Sequence, residues 1–210
     1  MRLILLGPPG AGKGAQAELL VKKLGIPQIS TGEILRDAVR NATLVGRKAK
    51  AFMEAGDLVP DDVVIGVVKD RLAAKDCGEG YILDGMPRTA AQAEALDRQG
   101  IAVDVVLSMQ VPDRQILGRL AGRRTCPACA ATYHIVTKPP LAPGLCDICG
   151  AKLATREDDA EETIINRLQT YHKETEPLRA YYEAQGKLRT VNGEYSAEET
   201  ASAVLKSLGI

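Results

Sequence analysis

Two groups of residues in this sequence have the types and spacing to do chemistry. The first is Gly7-Pro8-Pro9-Gly10-Ala11-Gly12-Lys13, which follows the apolar run Leu3 to Leu6 and precedes a helix-period segment, Ala15 to Leu24. In that setting glycine-rich backbone amides wrap a phosphate at a helix N-terminus, and Lys13 reaches it as a point charge. The plainer alternative is a glycine-rich turn with a surface lysine. Gly14 stands where most such loops carry a Ser or Thr for magnesium, so the metal is expected to be held through water by a carboxylate elsewhere. Asp84, closing the strand-like Tyr81-Ile82-Leu83, is the candidate. The second group is two Cys-x-x-Cys turns, Cys126/Cys129 and Cys146/Cys149, separated by sixteen residues. That is the spacing of a closed four-thiolate site, zinc being the default metal and two disulfides the alternative. His134 lies nearby but four cysteines complete the set, and Cys77 is left over as an ordinary thiol.

Those groups have to be held by elements. Short apolar runs alternate with helix-period segments: Leu3 to Leu6 then Ala15 to Leu24, Tyr81 to Leu83 then Ala90 to Gln99, Val103 to Val111 then Arg114 to Ala121. That alternation predicts an α/β fold with a parallel sheet flanked by helices. A further strand is expected at Leu188 to Val191, and Ser196 with Glu199 three residues on predicts a capped terminal helix. Two segments break the rhythm. Ser30 to Val59 reads as helices separated by Gly46 and Gly56, and Gly122 to Asp159, rich in Pro, Gly and Cys, suits hairpins. The expected organisation is therefore a core of residues 1–29, 60–121 and 160–210, with a helical insertion at 30–59 and a second, cysteine-bearing insertion at 122–159. Ala160 to Gln185 reads as a long charged helix interrupted by Pro177.

With 27 basic and 27 acidic residues the chain has no overall field to draw it to nucleic acid or an acidic membrane surface. No apolar run approaches the roughly 20 residues that span a bilayer. The opening run is too short for a signal peptide, and the paired cysteines suit a reduced compartment, so a cytoplasmic protein is expected. One Phe and no Trp leave few platforms for stacking single-stranded bases.

Further segments then fall into one pattern. Ser30-Thr31-Gly32-Glu33-Ile34-Leu35-Arg36, Asp84-Gly85-Met86-Pro87-Arg88-Thr89 with Gln92, Arg119 through Arg123-Arg124, Thr155-Arg156-Glu157-Asp158-Asp159 and Arg167, with the phosphate loop, together resemble adenylate kinases over nearly the whole chain. Each is weak alone; their order and spacing are specific. The resemblance implies a P-loop, nucleoside-monophosphate-kinase-like sheet and reversible transfer of a phosphoryl group between ATP and AMP, giving ADP, with Mg2+ accompanying ATP and a structural Zn2+ in the lid. It implies that Gly10, Ala11, Gly12, Lys13, Gly14 and Ala15 hold ATP phosphates, and that Thr31, Arg36, Arg88 and Gln92 hold AMP. Gln92 would read the adenine edge, with the backbone of Asp57, Leu58, Val59, Gly85, Met86 and Pro87 closing around it. Arg119, Arg123, Arg156 and Arg167 would surround the ATP phosphates and the transferred group. Thr132 and Tyr133 would lie near ATP in the lid, and Tyr195, after the Val191-Asn192-Gly193 turn, near its adenine.

The chemistry asks for these residue types on its own account. Phosphoryl transfer spreads charge over equatorial oxygens, so catalysis is positioning and electrostatics, and arginine forks suit it. The nucleophile, a phosphate oxygen of AMP, is already anionic and needs no base. Two positions depart from the family. Ala15 stands where a Thr is usual, removing a hydroxyl near the ATP phosphates, and Met86 replaces the usual Phe. A kinase for UMP, CMP or GMP would use the same loop and arginines. Thr31, Gln92 and the long cysteine-bearing lid favour AMP by resemblance. A zinc-ribbon nucleic-acid module is the reading from another class, and zero net charge argues against it. A monomer is expected, because both insertions would act as doors that exclude water and need room to move.

Overall fold

The computed structural model describes residues 1–210. The apolar run at the start forms β1 (Arg2–Leu6), and four more strands join it in parallel: β2 (Gln28–Ser30), β3 (Tyr81–Asp84), β4 (Val105–Gln110) and β7 (Leu188–Asn192). Their order is β2-β3-β1-β4-β7. β1 is central, Ile4 lying opposite Leu83 of β3 and Val106 of β4. Because side chains alternate along a strand, its residues supply both faces. Ile4 and Leu6 pack with Leu83, Val106, Leu178 and Tyr182, whereas Leu3 and Leu5 pack with Ala17, Leu20 and Val204. Helices therefore cover both sides, which is why β1 reads as an unbroken apolar run.

The helices are α1 (Lys13–Leu24), α2 (Thr31–Arg40), α3 (Leu44–Ala55), α4 (Asp61–Leu72), α5 (Ala90–Arg98), α6 (Asp113–Ala121), α7 (Glu161–Thr170), α8 (Leu178–Ala184) and α9 (Ala197–Leu208). Several start where side-chain chemistry dictates. Ser30, Thr43 and Thr89 each accept the backbone N–H three residues on, opening α2, α3 and α5. Ser196 and Glu199 form the predicted capping box of α9. No helix is long and apolar enough to cross a membrane.

One element was not foreseen and two expectations need correction. Between Pro27 and α2 lies β2, a three-residue edge strand too short to show a period. Gly46 does not separate helices: it lies in the first turn of α3, where a Cβ would stand 2.0 Å from the Ala38 carbonyl oxygen, so glycine is there to let α2 and α3 touch. The break falls instead at residues 41–43. The charged segment after 160 departs from α-helix before its proline, with a π-helical stretch over Tyr171–Thr175 ahead of α8.

The Cys-rich segment folds as a small satellite. β5 (Arg123–Thr125) pairs antiparallel with β6 (Thr132–His134), and further bridges join Thr125 to Ala154 and Leu145 to Lys152. Its own apolar core is only Cys126, Tyr133 and Cys146, with Ala131, Ala151 and Leu153 against them. The large exposed apolar residues of this segment, such as Leu141 and Ile148, lie on its outside.

Candidate active site

The loop leaving β1 delivers the residues expected to bind phosphate to the carboxyl edge of the sheet, where open α/β folds place their ligands. Gly12, at φ 96°, caps α1 in the left-handed region that glycine adopts without strain, turning the amides of the helix N-terminus toward the cleft. Lys13 folds back inside the loop, its Nζ donating to the carbonyls of Gly7 (2.7 Å) and Pro8 (2.8 Å). Burial, with the charges of Arg88, Arg167 and Arg123 adding, lowers the Lys13 ammonium to about 8 against the one raising influence of Asp84. Asp84 ends β3 at this edge; one carboxylate oxygen accepts from Gln28 at 3.0 Å and the other has no protein donor, which leaves it free to accept a metal-bound water. Ala15 is exposed on the first turn of α1.

Around the loop the arginines are paired with carboxylates that come from distant parts of the chain. Arg123 forks onto Asp159 (Nε 2.8 Å, Nη2 2.5 Å), whose side chain is fully buried. Arg167 reaches the same carboxylate at 3.2 Å and Asp158 at 3.0 Å. Arg156 donates to Thr125 Oγ1 (3.0 Å) and to Glu33 (2.7 Å), which also takes Arg36 at 2.5 Å. Arg88 opens to solvent along the cleft mouth and donates to the Gly85 carbonyl at 2.8 Å. The protein packed around its head group, and then the Arg167 charge, bring it down to about 10. Burial, followed by Arg36 and Arg123, brings Arg156 to about 10 as well. Six cations (Lys13, Arg36, Arg88, Arg123, Arg156, Arg167) thus face five carboxylates (Glu33, Asp57, Asp84, Asp158, Asp159). The Nε of Arg36 is buried without a partner. Such a cleft is short of negative charge and would gain most from a polyanion.

One open cleft is lined by Thr31, Arg36, Asp57, Leu58, Val59, Gly85, Arg88, Gln92 and Arg167, gathering most of the residues expected on the monophosphate side. Met86 and Pro87 are buried behind it. Gln92 is 1% exposed, its amide held at both ends: Oε1 accepts from the Arg88 N–H at 2.7 Å and Nε2 donates to Asp61 at 2.7 Å. On the other side Arg119 ties the phosphate loop to the turn after β7, donating to Gly193 O (2.7 Å) and Ala11 O (3.4 Å). Tyr195 beyond that turn is 58% exposed. Glu33, Asp158, Asp159 and Asp61 had no role in the sequence reading. The available signal for three of them was their place inside the motifs that carry Arg36 and Arg156.

The four cysteines converge. Their sulfurs lie within 4.8 Å of one another, with Cys126 to Cys149 at 3.4 Å, Cys129 to Cys146 at 3.5 Å and Cys129 to Cys149 at 3.6 Å. Disulfide sulfurs sit about 2.05 Å apart, whereas four thiolates around one zinc at 2.3 Å are about 3.8 Å apart, so the cluster fits a tetrahedral metal and not two disulfides. Backbone amides of Ala128 and Cys129 point at Cys126, and those of Ile148 and Cys149 at Cys146, as in knuckles that hold thiolates. Thr132 stays on the lid hairpin near the Ala130 carbonyl. The Tyr133 side chain turns into the lid core, where its hydroxyl accepts from the Asp147 N–H at 2.9 Å and lies 3.5 Å from Cys146 Sγ. His134 stays outside the cluster, its Nδ1 accepting the Val136 and Thr137 amides at 3.1 Å each.

A phosphate loop on a central parallel strand, an arginine-lined cleft and two insertions beside it define a P-loop kinase of the nucleoside-monophosphate class. The family model described as "Adenylate kinase" matches residues 5–187. Adenylate kinases of Caldicellulosiruptor bescii (54% identical over 214 residues, all of both chains), Geobacter sp. strain M21 (52% over 212 residues, 99% of both) and Ruminiclostridium cellulolyticum (50% over 214 residues, all of both) align with it. The chain belongs to the adenylate kinase family. It is a phosphotransferase catalysing ATP + AMP = 2 ADP, and adenylate kinases use Mg2+ with ATP.

Proposed function

We propose that Lys13, Arg119 and the amides of Gly10 to Ala15 hold the ATP phosphates, with the main chain near Thr132, Tyr133 and Tyr195 also near ATP. Thr31, Arg36, Arg88, Gln92 and the backbone from Asp57 to Val59 and Gly85 to Pro87 take AMP. The single observation that carries this is the gathering of six cations around one cleft against five carboxylates, with an unpartnered guanidinium nitrogen on Arg36. In the reaction a phosphate oxygen of AMP attacks the terminal phosphorus of ATP in line, the bond from that phosphorus to the β,γ-bridging oxygen breaks, and ADP leaves as AMP becomes the second ADP. Arg88 orients the attacking phosphate, and Lys13, Arg123, Arg156 and Arg167 hold the equatorial oxygens where charge builds. No residue is required to take a proton from the nucleophile. Mg2+ bound with ATP would neutralise phosphate charge, and the Asp84 oxygen that takes no protein donor would accept one of its waters.

Residues 30–59 and 122–159 act as doors on a core of 1–29, 60–121 and 160–210. Support comes from the contacts they make with each other: Arg156 reaches Glu33 at 2.7 Å, and Arg40 donates to the Pro127 carbonyl at 2.7 Å. Zinc on Cys126, Cys129, Cys146 and Cys149 staples the lid, whose apolar core is too small to fold unaided. The enzyme works as a cytoplasmic monomer on free nucleotides. Kinetics of Arg88→Lys, with AMP and ATP varied separately, test the assignment. A fall of about 100-fold in kcat/KM for AMP is expected, because a single ammonium replaces a fork. Unchanged kcat/KM for AMP would remove Arg88 from the site. If single-molecule distances between lid and core did not change with a bisubstrate analogue, the doors would be fixed walls.

A further inference from the structure

Asp61 is outside the set of residues placed against either nucleotide, yet it decides which way round the Gln92 amide stands. It opens α4 and is half-buried, and two donors converge on its carboxylate: Gln92 Nε2 at 2.7 Å and the Thr89 hydroxyl at 3.3 Å. The opposite end of the amide is fixed by the Arg88 backbone N–H, 2.7 Å from Oε1. A carboxylate offers only acceptors and a backbone N–H only a donor. Turning the amide over would set oxygen against carboxylate and NH2 against N–H at once.

An amide has two acceptor sites on oxygen and two hydrogens on nitrogen, so one of each remains for the cleft that Gln92 lines. The amide therefore presents an acceptor and a donor side by side in one fixed order. Adenine matches, with its 6-amino donor beside a ring-nitrogen acceptor, and a 6-oxo purine meets the Gln92 oxygen with another acceptor.

We infer that Asp61 is a specificity-determining residue that, by locking the polarity of the Gln92 amide, makes the monophosphate site select an amino base over its oxo counterpart. The inference rests on Gln92 facing the base of AMP. Its reach extends past purines: cytosine shows the same amino and ring-nitrogen pair, whereas uracil shows the oxo pattern. Polarity then rejects IMP and UMP, and only size and shape discriminate against CMP.

The test measures kcat/KM for AMP, IMP, CMP and UMP with saturating ATP, in the wild-type enzyme and in Asp61→Asn and Gln92→Leu. In the wild type CMP should exceed UMP, and AMP exceed IMP, each by about tenfold or more, one wrongly faced buried hydrogen bond being worth that much. Asn at 61 can show either polarity to Gln92 and leaves only the Arg88 N–H to fix the amide, so in Asp61→Asn both amino-to-oxo ratios should shrink severalfold while AMP to CMP holds. Gln92→Leu should abolish both ratios. Equal use of CMP and UMP by the wild-type enzyme would overturn the inference without any variant having to fold. If Gln92→Leu keeps the wild-type ratios, Gln92 does not read the base and the underlying assignment falls. If it abolishes them and Asp61→Asn lowers all four substrates alike, only the role of Asp61 falls.

Discussion

Asp159 gives the sharpest check on the reading of the cleft as a site awaiting phosphate. Its buried carboxylate takes three guanidinium N–H groups, two from Arg123 and one from Arg167. Asp159→Asn keeps the shape but removes the charge and turns an NH2 toward at least one of those donors. Removing one member of a buried ion pair costs about 3–5 kcal/mol. Asp158, still 3.0 Å from Arg167, and water in the open cleft argue for the lower end, about 3 kcal/mol. For a chain of this size each kcal/mol is about 2–4 °C in Tm, so the nucleotide-free variant should melt roughly 6–12 °C below wild type. Nucleotide phosphates bring the missing charge back to the same guanidiniums. Calorimetric melting with saturating ADP and magnesium should therefore show a larger ligand-induced rise in Tm for Asp159→Asn than for wild type, recovering several degrees of the deficit. An equal deficit with and without nucleotide would mean that Arg123 and Arg167 serve the fold alone, and the polyanion argument would fail with it.

Lys13 supplies a pH test. Its ammonium is near 8 in the free protein and phosphates would raise it, so nucleotide affinity should fall as pH rises through about 8, and titration calorimetry at pH 8.5 in buffers of different ionisation enthalpy should register proton uptake; none would separate Lys13 from the phosphates. In the ligand-free protein the sign for stability is the reverse of a salt bridge. The folded value lies below the ordinary 10.5, so this unfavourable contribution is complete below about pH 8 and fades as pH rises toward 10.5, which denaturant titrations of wild type against Lys13→Met would reveal. Stripping the metal with a chelator should expose four reactive thiols at Cys126, Cys129, Cys146 and Cys149 and make the lid protease-sensitive while the core stays folded, with one zinc per chain restoring protection. Four thiols equally reactive before chelation would dismiss the zinc assignment. Gly46→Ala should cost about 1–3 kcal/mol and raise the KM for AMP, since the new Cβ cannot share space with the Ala38 carbonyl; an unchanged melting curve would show that α2 and α3 separate freely.

The parts legible in the sequence are those whose cause is local. Leu3 to Lys13 carry strand, loop and helix start in eleven consecutive residues, the spacing of the two cysteine pairs is the geometry of their knuckles, and Ser196 with Glu199 closes its own hydrogen bonds. What could not be read depends on groups far apart in the chain. Arg156 finds Glu33 across 123 positions, and Gly46 is glycine because of a carbonyl in a different helix. The same division governs function. Arginines that could be named from motifs are held, in the absence of substrate, by carboxylates that could not, and Gln92, named as the reader of a base, has its polarity chosen by Asp61 thirty-one positions away. A phosphate entering the cleft would compete for guanidiniums already half-satisfied, which weakens binding, while the carboxylates offset the repulsion among the cations when no substrate is bound. Binding of two nucleotides is then an exchange of partners, carboxylate for phosphate. Because Glu33 lies in the segment 30–59 and Arg156 in 122–159, such an exchange at this one residue pair would, on the proposed assignment, loosen a contact between the two segments as it drew both toward the substrates.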